Sequence, residues 1–273
     1  MVGGSGLLGL EVARRARLDG HRVTATFHEH RPVDDDVDWR RLDIRDRDAV
    51  ADAVGAVRPE MIVNAAYRRS EWAATADGAA HVALAAGDAR LVHVSSDVVF
   101  SGRTGRYDET QLPDPITPYG AAKAAAETAV AAVTPAAVIA RTSLIIGNGD
   151  SPHERHVHAL AAGTGTGVLF TDVVRCPVHV TDLARALLEL AASPYSGIHH
   201  VAGPDALSRH ALGILIARRD GLDPTTLPAA PHDPATCPGP LDVRLDSTRT
   251  RTRLTTALRG ATNFLAPPPV SGT

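Results

Sequence analysis

Three glycines stand at three-residue spacing in GGSGLLG at 3–9 (Gly3, Gly6 and Gly9), directly ahead of a helical pattern over 10–18. Such a turn lets the backbone approach a phosphate closely, and the following helix aims its first amides at that anion. The turn works only between a strand and a helix, so it constrains the fold more than any other feature. A β-branched run over 21–27 follows, then a helix over 49–57 and a buried strand over 61–66. A strand over 91–95 comes next, then an Ala-rich helix over 119–133 behind Pro113, Pro115 and Pro118, and a strand over 138–146. This alternation predicts an α/β chain, with a doubly wound parallel sheet and helices on both faces. Only Met1 and Val2 precede the glycines, so the first strand is nearly missing from the sequence. A native start upstream of Met1 is therefore expected.

Past residue 147 the texture changes to Gly, His and Thr. A strand start and helix follow over 178–192, with Thr181-Asp182 as the expected cap. A strand over 198–202, an amphipathic stretch over 208–218 and a Pro-rich connection over 222–240 complete the pattern. The expected organisation is a dinucleotide-binding domain over 1–150, completed by 176–203. A small lobe would come from 151–175 and 204–265, and a disordered tail from 266–273.

Composition removes several classes. With 273 residues, 44% apolar and 22% charged, the chain is neither fibrous nor disordered. Its net charge of −3 leaves no basic footprint for nucleic acid. No apolar run reaches the roughly 18 residues of a membrane span, and no leader pattern is visible. Cys176 and Cys237 lie far apart without CxxC spacing, which fits a reducing, cytoplasmic setting.

Of the 28 basic residues only Lys123 is lysine. Where every other cation is arginine, the surviving ammonium points to a need for a compact charge with a tunable pKa. Tyr119 stands four residues before it, so the two share a helix face. A phenol ionises near pH 10 (about 10 in model peptides), and a neighbouring ammonium lowers that value. The pair is then a proton donor usable near neutrality. Ser95-Ser96-Asp97 ends the apolar run over 91–94, where an open parallel sheet binds its ligands. Arg175, just before Cys176-Pro177, is placed to grip a diphosphate in fork geometry. His153, His156 and His158 cluster around Glu154, but an i, i+2 spacing does not share a helix face, and no metal site is expected. His199 and His200, in a strand, point to opposite faces.

These segments carry a resemblance. GGSGLLG at 3–9, LDIRD at 42–46, VNAAY at 63–67, HVSSDVVFSG at 93–102 and YGAAK at 119–123 resemble the extended short-chain dehydrogenase/reductases. RTSLIIG at 141–147, CPVHVTDLA at 176–184, GIHHVAG at 197–203 and LDSTRT at 245–250 extend it over nearly the whole chain. Within that superfamily the chain is most similar to the dTDP-4-dehydrorhamnose reductase group of sugar-nucleotide reductases. The resemblance implies a Rossmann-type sheet and NAD(P)H-dependent reduction of a keto group on a nucleotide sugar. Ser96 would hydrogen-bond the carbonyl, Tyr119 would protonate the alkoxide, and Lys123 would tune the tyrosine and hold the nicotinamide ribose. Asp43 and Ile44 would contact adenine. Gly3, Ser5, Gly6, Leu7, Leu8, Gly9, Asn64, Ala65, Ala66, Tyr67 and Ser95 would complete the cofactor site. His28 and Arg31, at the end of the second strand, could meet a 2′-phosphate, which favours NADPH over NADH. Val98 and Leu144 stand where the rhamnose reductases carry Tyr and Trp; with Phe100 and Arg175 they would shape the substrate pocket. A non-catalytic NAD(P)-binding member of the fold and a sugar-nucleotide epimerase are the alternatives. A homodimer is a further expectation.

Overall fold

The structure is a computed structural model and describes residues 1–34 and 36–267; the expected tail lies almost wholly outside the described residues. The Gly-rich turn leads into α1 (Leu7–Leu18), followed by β1 (Thr24–Phe27), β2 (Asp38–Arg41) and α2 (Arg47–Val57). Next come β3 (Met61–Asn64), α3 (Gly78–Ala86), β4 (Arg90–Ser96), α4 (Pro118–Val133) and β5 (Val138–Thr142). The chain continues through α5 (Pro152–Ala161), α6 (Val180–Ala192), β6 (Gly197–His200) and α7 (Arg209–Arg219).

β3, β4, β5 and β6 pair in that order, all parallel. β1 and β2 form a parallel pair of their own. Met1–Gly4 joins the two. Val2 exchanges hydrogen bonds with Val63 and Ala65 on one side, while Met1 and Gly4 exchange them with Thr26 on the other. The short lead before the glycines thus closes the sheet as a two-residue bridge. β2 escapes a reading by alternation because Asp38, Arg40 and Arg41 give it no apolar face.

The sheet's period of two splits its side chains between two cores. Val63, Val92, Val94, Val138 and Ala140 pack under α1 and α6. Ile62, Leu91 and Ile139 pack under α2, α3 and α4. This is the Rossmann-type, doubly wound arrangement. A third cluster, with Ile146, Val157, Leu160, Leu169, Leu212 and Ile216, holds α5 and α7 together beyond the sheet.

Two local expectations change. The run over 138–146 breaks after Thr142, and Ile145–Ile146 pairs instead with Val178–His179. α6 is capped by His179, whose ring nitrogen accepts from the Thr181 amide at 3.3 Å. Thr181 and Asp182 therefore lie inside the helix, bonded to Glu11 and Arg259. α4 starts as its sequence dictates, with Thr117 accepting from the Gly120 amide at 3.1 Å and Pro118 in the first turn.

Candidate active site

A cavity of about 810 Å³ runs from the glycine turn, past Ser96, Tyr119 and Lys123, to Leu169 and Leu212 of the third cluster. At its glycine end, α1 has no capping side chain and no acid in its first turn. A Cβ on Gly9 would collide with the Gly3 carbonyl, and Gly3 itself has φ +78. A Cβ on Gly6 would meet nothing nearer than 3.8 Å, so its open side faces the cavity. Uncapped amides behind a side-chain-free turn fit a dinucleotide's pyrophosphate. Leu7, Leu8, Ala65 and Tyr67 also line this space.

A second cavity, about 240 Å³, opens on the other side of the turn and includes Ser5, His28, Asp43, Ile44 and Ala66. His28 lies 3.4 Å from Asp43 and 3.5 Å from Glu29. Arg31 is exposed and lies outside the residues lining this cavity. The guanidinium groups that do line it belong to Arg45 and Arg68. Arg45 pairs with Asp43 at 2.6 Å and with Glu71 at 3.1 Å, and its hydrogen bonds hold the Asp43 carboxyl well below the usual range. Arg68 pairs with Glu29 and Glu71. Asn64 is buried and lines neither cavity. Its carbonyl oxygen accepts from the Ala66 amide at 3.1 Å, so it shapes the turn after β3.

Ser96, half-buried, is the N-cap of a single 3-10 turn, and its hydroxyl is 3.3 Å from Asp97 and 3.4 Å from the Val98 amide. Tyr119 and Lys123 lie on one face of α4, but their electrostatics differ from the expected pairing. Burial pushes the Tyr119 phenol above its ordinary value of 10.0; Tyr67 and Asp97 push the same way. The opposing cation is Arg69, whose guanidinium lies 5.4 Å from the Tyr119 ring centre. Lys123 instead donates to the Val94 carbonyl at 3.0 Å and sits 5.0 Å from the Tyr67 ring centre. Burial lowers its ammonium from 10.5 to about 8. The i, i+4 spacing places both groups on one side of the helix but leaves the ammonium's direction to β4.

Three further residues sit differently from the expectation. Ser95 lines the cavity, but its hydroxyl is buried and donates to Glu127, which pairs with Arg141 at 2.7 Å, so the hydroxyl faces α4 and β5. Phe100 is fully buried, stacked on Tyr107 at 4.1 Å, and lies outside the cavity. Arg175 lines the cavity, but its guanidinium donates to the Val174, Leu241 and Pro240 carbonyls at 2.7–2.9 Å. It also sits 3.5 Å from Asp97. Its donors tie the strand Val174–Arg175 to the segment at 240–241. Val98 and Leu144 do line the cavity. The histidine group over 153–158 diverges: His158 pairs with Asp220, Glu154 caps α5, and His153 accepts from Arg209. Nothing in the sequence marks Arg69 or Arg209 among so many arginines.

The family described as the RmlD substrate binding domain matches residues 1–265. The chain belongs to that family. It is 33% identical over 245 residues to the "Probable low-salt glycan biosynthesis reductase Agl14" of Haloferax volcanii, covering 83% of this chain and 81% of that protein. It is 29% identical to the dTDP-4-dehydrorhamnose reductase of Mycolicibacterium smegmatis, over 95% of this chain and 81% of the relative. The crystal structure of a hypothetical dTDP-4-dehydrorhamnose reductase from Sulfolobus tokodaii superposes with a TM-score of 0.83 at 30% identity. That superposition covers 94% of this chain and 95% of the other. The family and the doubly wound fold therefore agree.

Proposed function

We propose that this protein is an NAD(P)H-dependent oxidoreductase that reduces a keto group on a nucleotide-activated sugar, in keeping with relatives that carry the name reductase. The carrying observation is that Ser96, Tyr119 and Lys123 line one cavity with an uncapped, glycine-built helix N-terminus. When bound there, the dihydronicotinamide supplies a hydride to the carbonyl carbon. Ser96 holds the carbonyl oxygen, since its hydroxyl has only long contacts in the free protein. Tyr119 gives its phenolic proton to that oxygen as the C–O double bond becomes single. Burial keeps the phenol protonated until an alkoxide, the stronger base, develops beside it. The phenolate then recovers a proton from solvent. Lys123, fixed on Val94, places its charge beneath the Tyr67 ring next to the site.

NADPH is the preferred cofactor in this reading. Arg45, Arg68 and His28 gather at the adenosine-side cavity, where a 2′-phosphate would meet them. The substrate is a 4-keto nucleotide sugar. Val98 and Leu144 leave more room around the sugar than aromatic side chains would at those positions. The test is a panel of keto nucleotide sugars followed by the loss of NADPH or NADH absorbance. Turnover of at least one member supports the reading. No turnover of any member, with the cofactor bound, favours the non-catalytic alternative.

A further inference from the structure

The larger cavity is lined by four cationic side chains, Arg69, Lys123, Arg175 and Arg209, against one carboxylate, Asp97. Asp97 already accepts from Ser143 at 2.6 Å and lies 3.5 Å from Arg175. Lys123 is bonded to Val94. Arg69 and Arg209 remain, and among the described residues neither has a carboxylate within ion-pair distance. Arg209 opens α7 directly after its Ser208 cap, and His153 lies in the first turn of α5, which packs on α7. The Arg209 guanidinium donates to the His153 Nδ1 at 3.2 Å. To accept, that ring must be neutral with its hydrogen on Nε2. Burial, with Arg209 beside it, lowers His153 to about 3 and keeps it so. Arg209 itself, lowered by burial to about 10, stays a cation at neutral pH.

A guanidinium held by a neutral ring, whose one nearby acid, Asp97, is engaged by Ser143 and Arg175, is a seat for an anion. A diphosphate suits its planar fork and the second charge on Arg69. The cofactor's pyrophosphate has its own place at α1, at the other end of the same cavity. We propose that Arg209, steadied by His153, anchors the diphosphate of the sugar nucleotide. The inference rests on the nucleotide-sugar reading above and replaces Arg175, whose donors are taken by backbone carbonyls.

The experiment measures binding of dTDP, UDP and UDP-glucuronic acid by calorimetry to the wild-type protein and to Arg209→Gln, Arg209→Lys and His153→Leu. Unchanged melting temperature and NADPH affinity serve as fold controls. Arg209→Gln should weaken the better of the two nucleotides by about 10- to 100-fold, the range of a lost charge-assisted hydrogen bond. Arg209→Lys should recover part of the loss, and His153→Leu should show a smaller one. If Arg209→Gln binds the nucleotide like the wild type, the proposal fails while the nucleotide-sugar reading stands. A loss seen only with UDP-glucuronic acid, and not with UDP, would reassign Arg209 to a sugar carboxylate and overturn it too. A wild-type protein that binds neither nucleotide overturns both. Should Arg209→Gln not fold, His153→Leu decides: the proposal falls if its nucleotide affinity is unchanged.

Discussion

At the scale of single residues, Tyr119 and Lys123 carry separable burdens. Tyr119→Phe removes one hydroxyl and keeps the ring that packs beside Tyr67 at 5.6 Å. Single-turnover reduction should fall by roughly 10²–10⁴, the usual share of a general acid. The NADPH dissociation constant should stay unchanged, because glycines and amides build that end of the cavity. Unchanged turnover would remove Tyr119 from the chemistry. Lys123 is held charged at a cost. Its lowering from 10.5 to about 8 corresponds to about 3 kcal/mol at most, at about 1.36 kcal/mol per pKa unit. Between pH 8 and 10.5 the folded state binds fewer protons at this site than the unfolded chain, so the penalty is full below pH 8 and relieved as pH rises. Lys123→Met should therefore abolish turnover yet melt higher than the wild type at pH 7, with the gap closing toward pH 10. Thermal melts across that range check it; a less stable variant at pH 7 would show that the Val94 and Tyr67 contacts outweigh the desolvation.

At the scale of elements, the glycine turn and α1 divide their work by position. Gly9 is a packing glycine: the Cβ of Gly9→Ala would strike the Gly3 carbonyl and force the turn apart. Gly6 has an allowed φ of −81 and open space around it. Gly6→Ala should change stability by less than about 1 kcal/mol while its methyl intrudes where the cofactor's phosphates would lie. Gly9→Ala should cost about 1–3 kcal/mol, as overpacking does, and weaken NADPH as well. Paired melting curves and NADPH titrations separate the two. Equal NADPH affinity in Gly6→Ala would place the pyrophosphate elsewhere. α4 is registered on the sheet by the buried Glu127–Arg141 pair and the Ser95 hydroxyl, which join it to β5 and β4. Through that tie the helix bearing Tyr119 and Lys123 faces the end of β4 that carries Ser96.

For the whole molecule, buried histidines should set the acid limit. His93, His199 and His200 are buried, and burial lowers all three, His199 and His200 to about 4. Between that value and the ordinary 6.5 the unfolded chain binds more protons, so stability rises with pH across the window and is lost as pH falls through it. The melting temperature should drop steeply from pH 6.5 to 4. Neither ring nitrogen of His200 makes a well-aligned hydrogen bond among the described residues, although the Asp246 backbone acts on the ring. His200→Leu should therefore flatten the acid slope at little cost at pH 7. A slope identical to the wild type would mean that other groups govern the acid transition.

Much of this was legible in the sequence because the signals are local. Alternating apolar residues at 62–63, 91–94 and 138–140 had to divide between two faces, and the glycine spacing at 3–9 had to precede a helix. The i, i+4 spacing of Tyr119 and Lys123 by itself places both on one helix face. β2 was not legible, since Asp38, Arg40 and Arg41 carry no alternation and the strand exists only by pairing with β1. Nor could the sequence say where a long polar side chain ends. Arg175 reaches carbonyls 65 and 66 residues away, Ser95 turns to Glu127, and Lys123 turns to Val94. Phe100, within the family-like HVSSDVVFSG segment, goes to the core. Arg209 meets its histidine across 56 residues. Backbone periodicity is a property of neighbours along the chain. The partner of a buried charge is chosen by whichever distant segment can satisfy it, and only the folded arrangement brings that segment near.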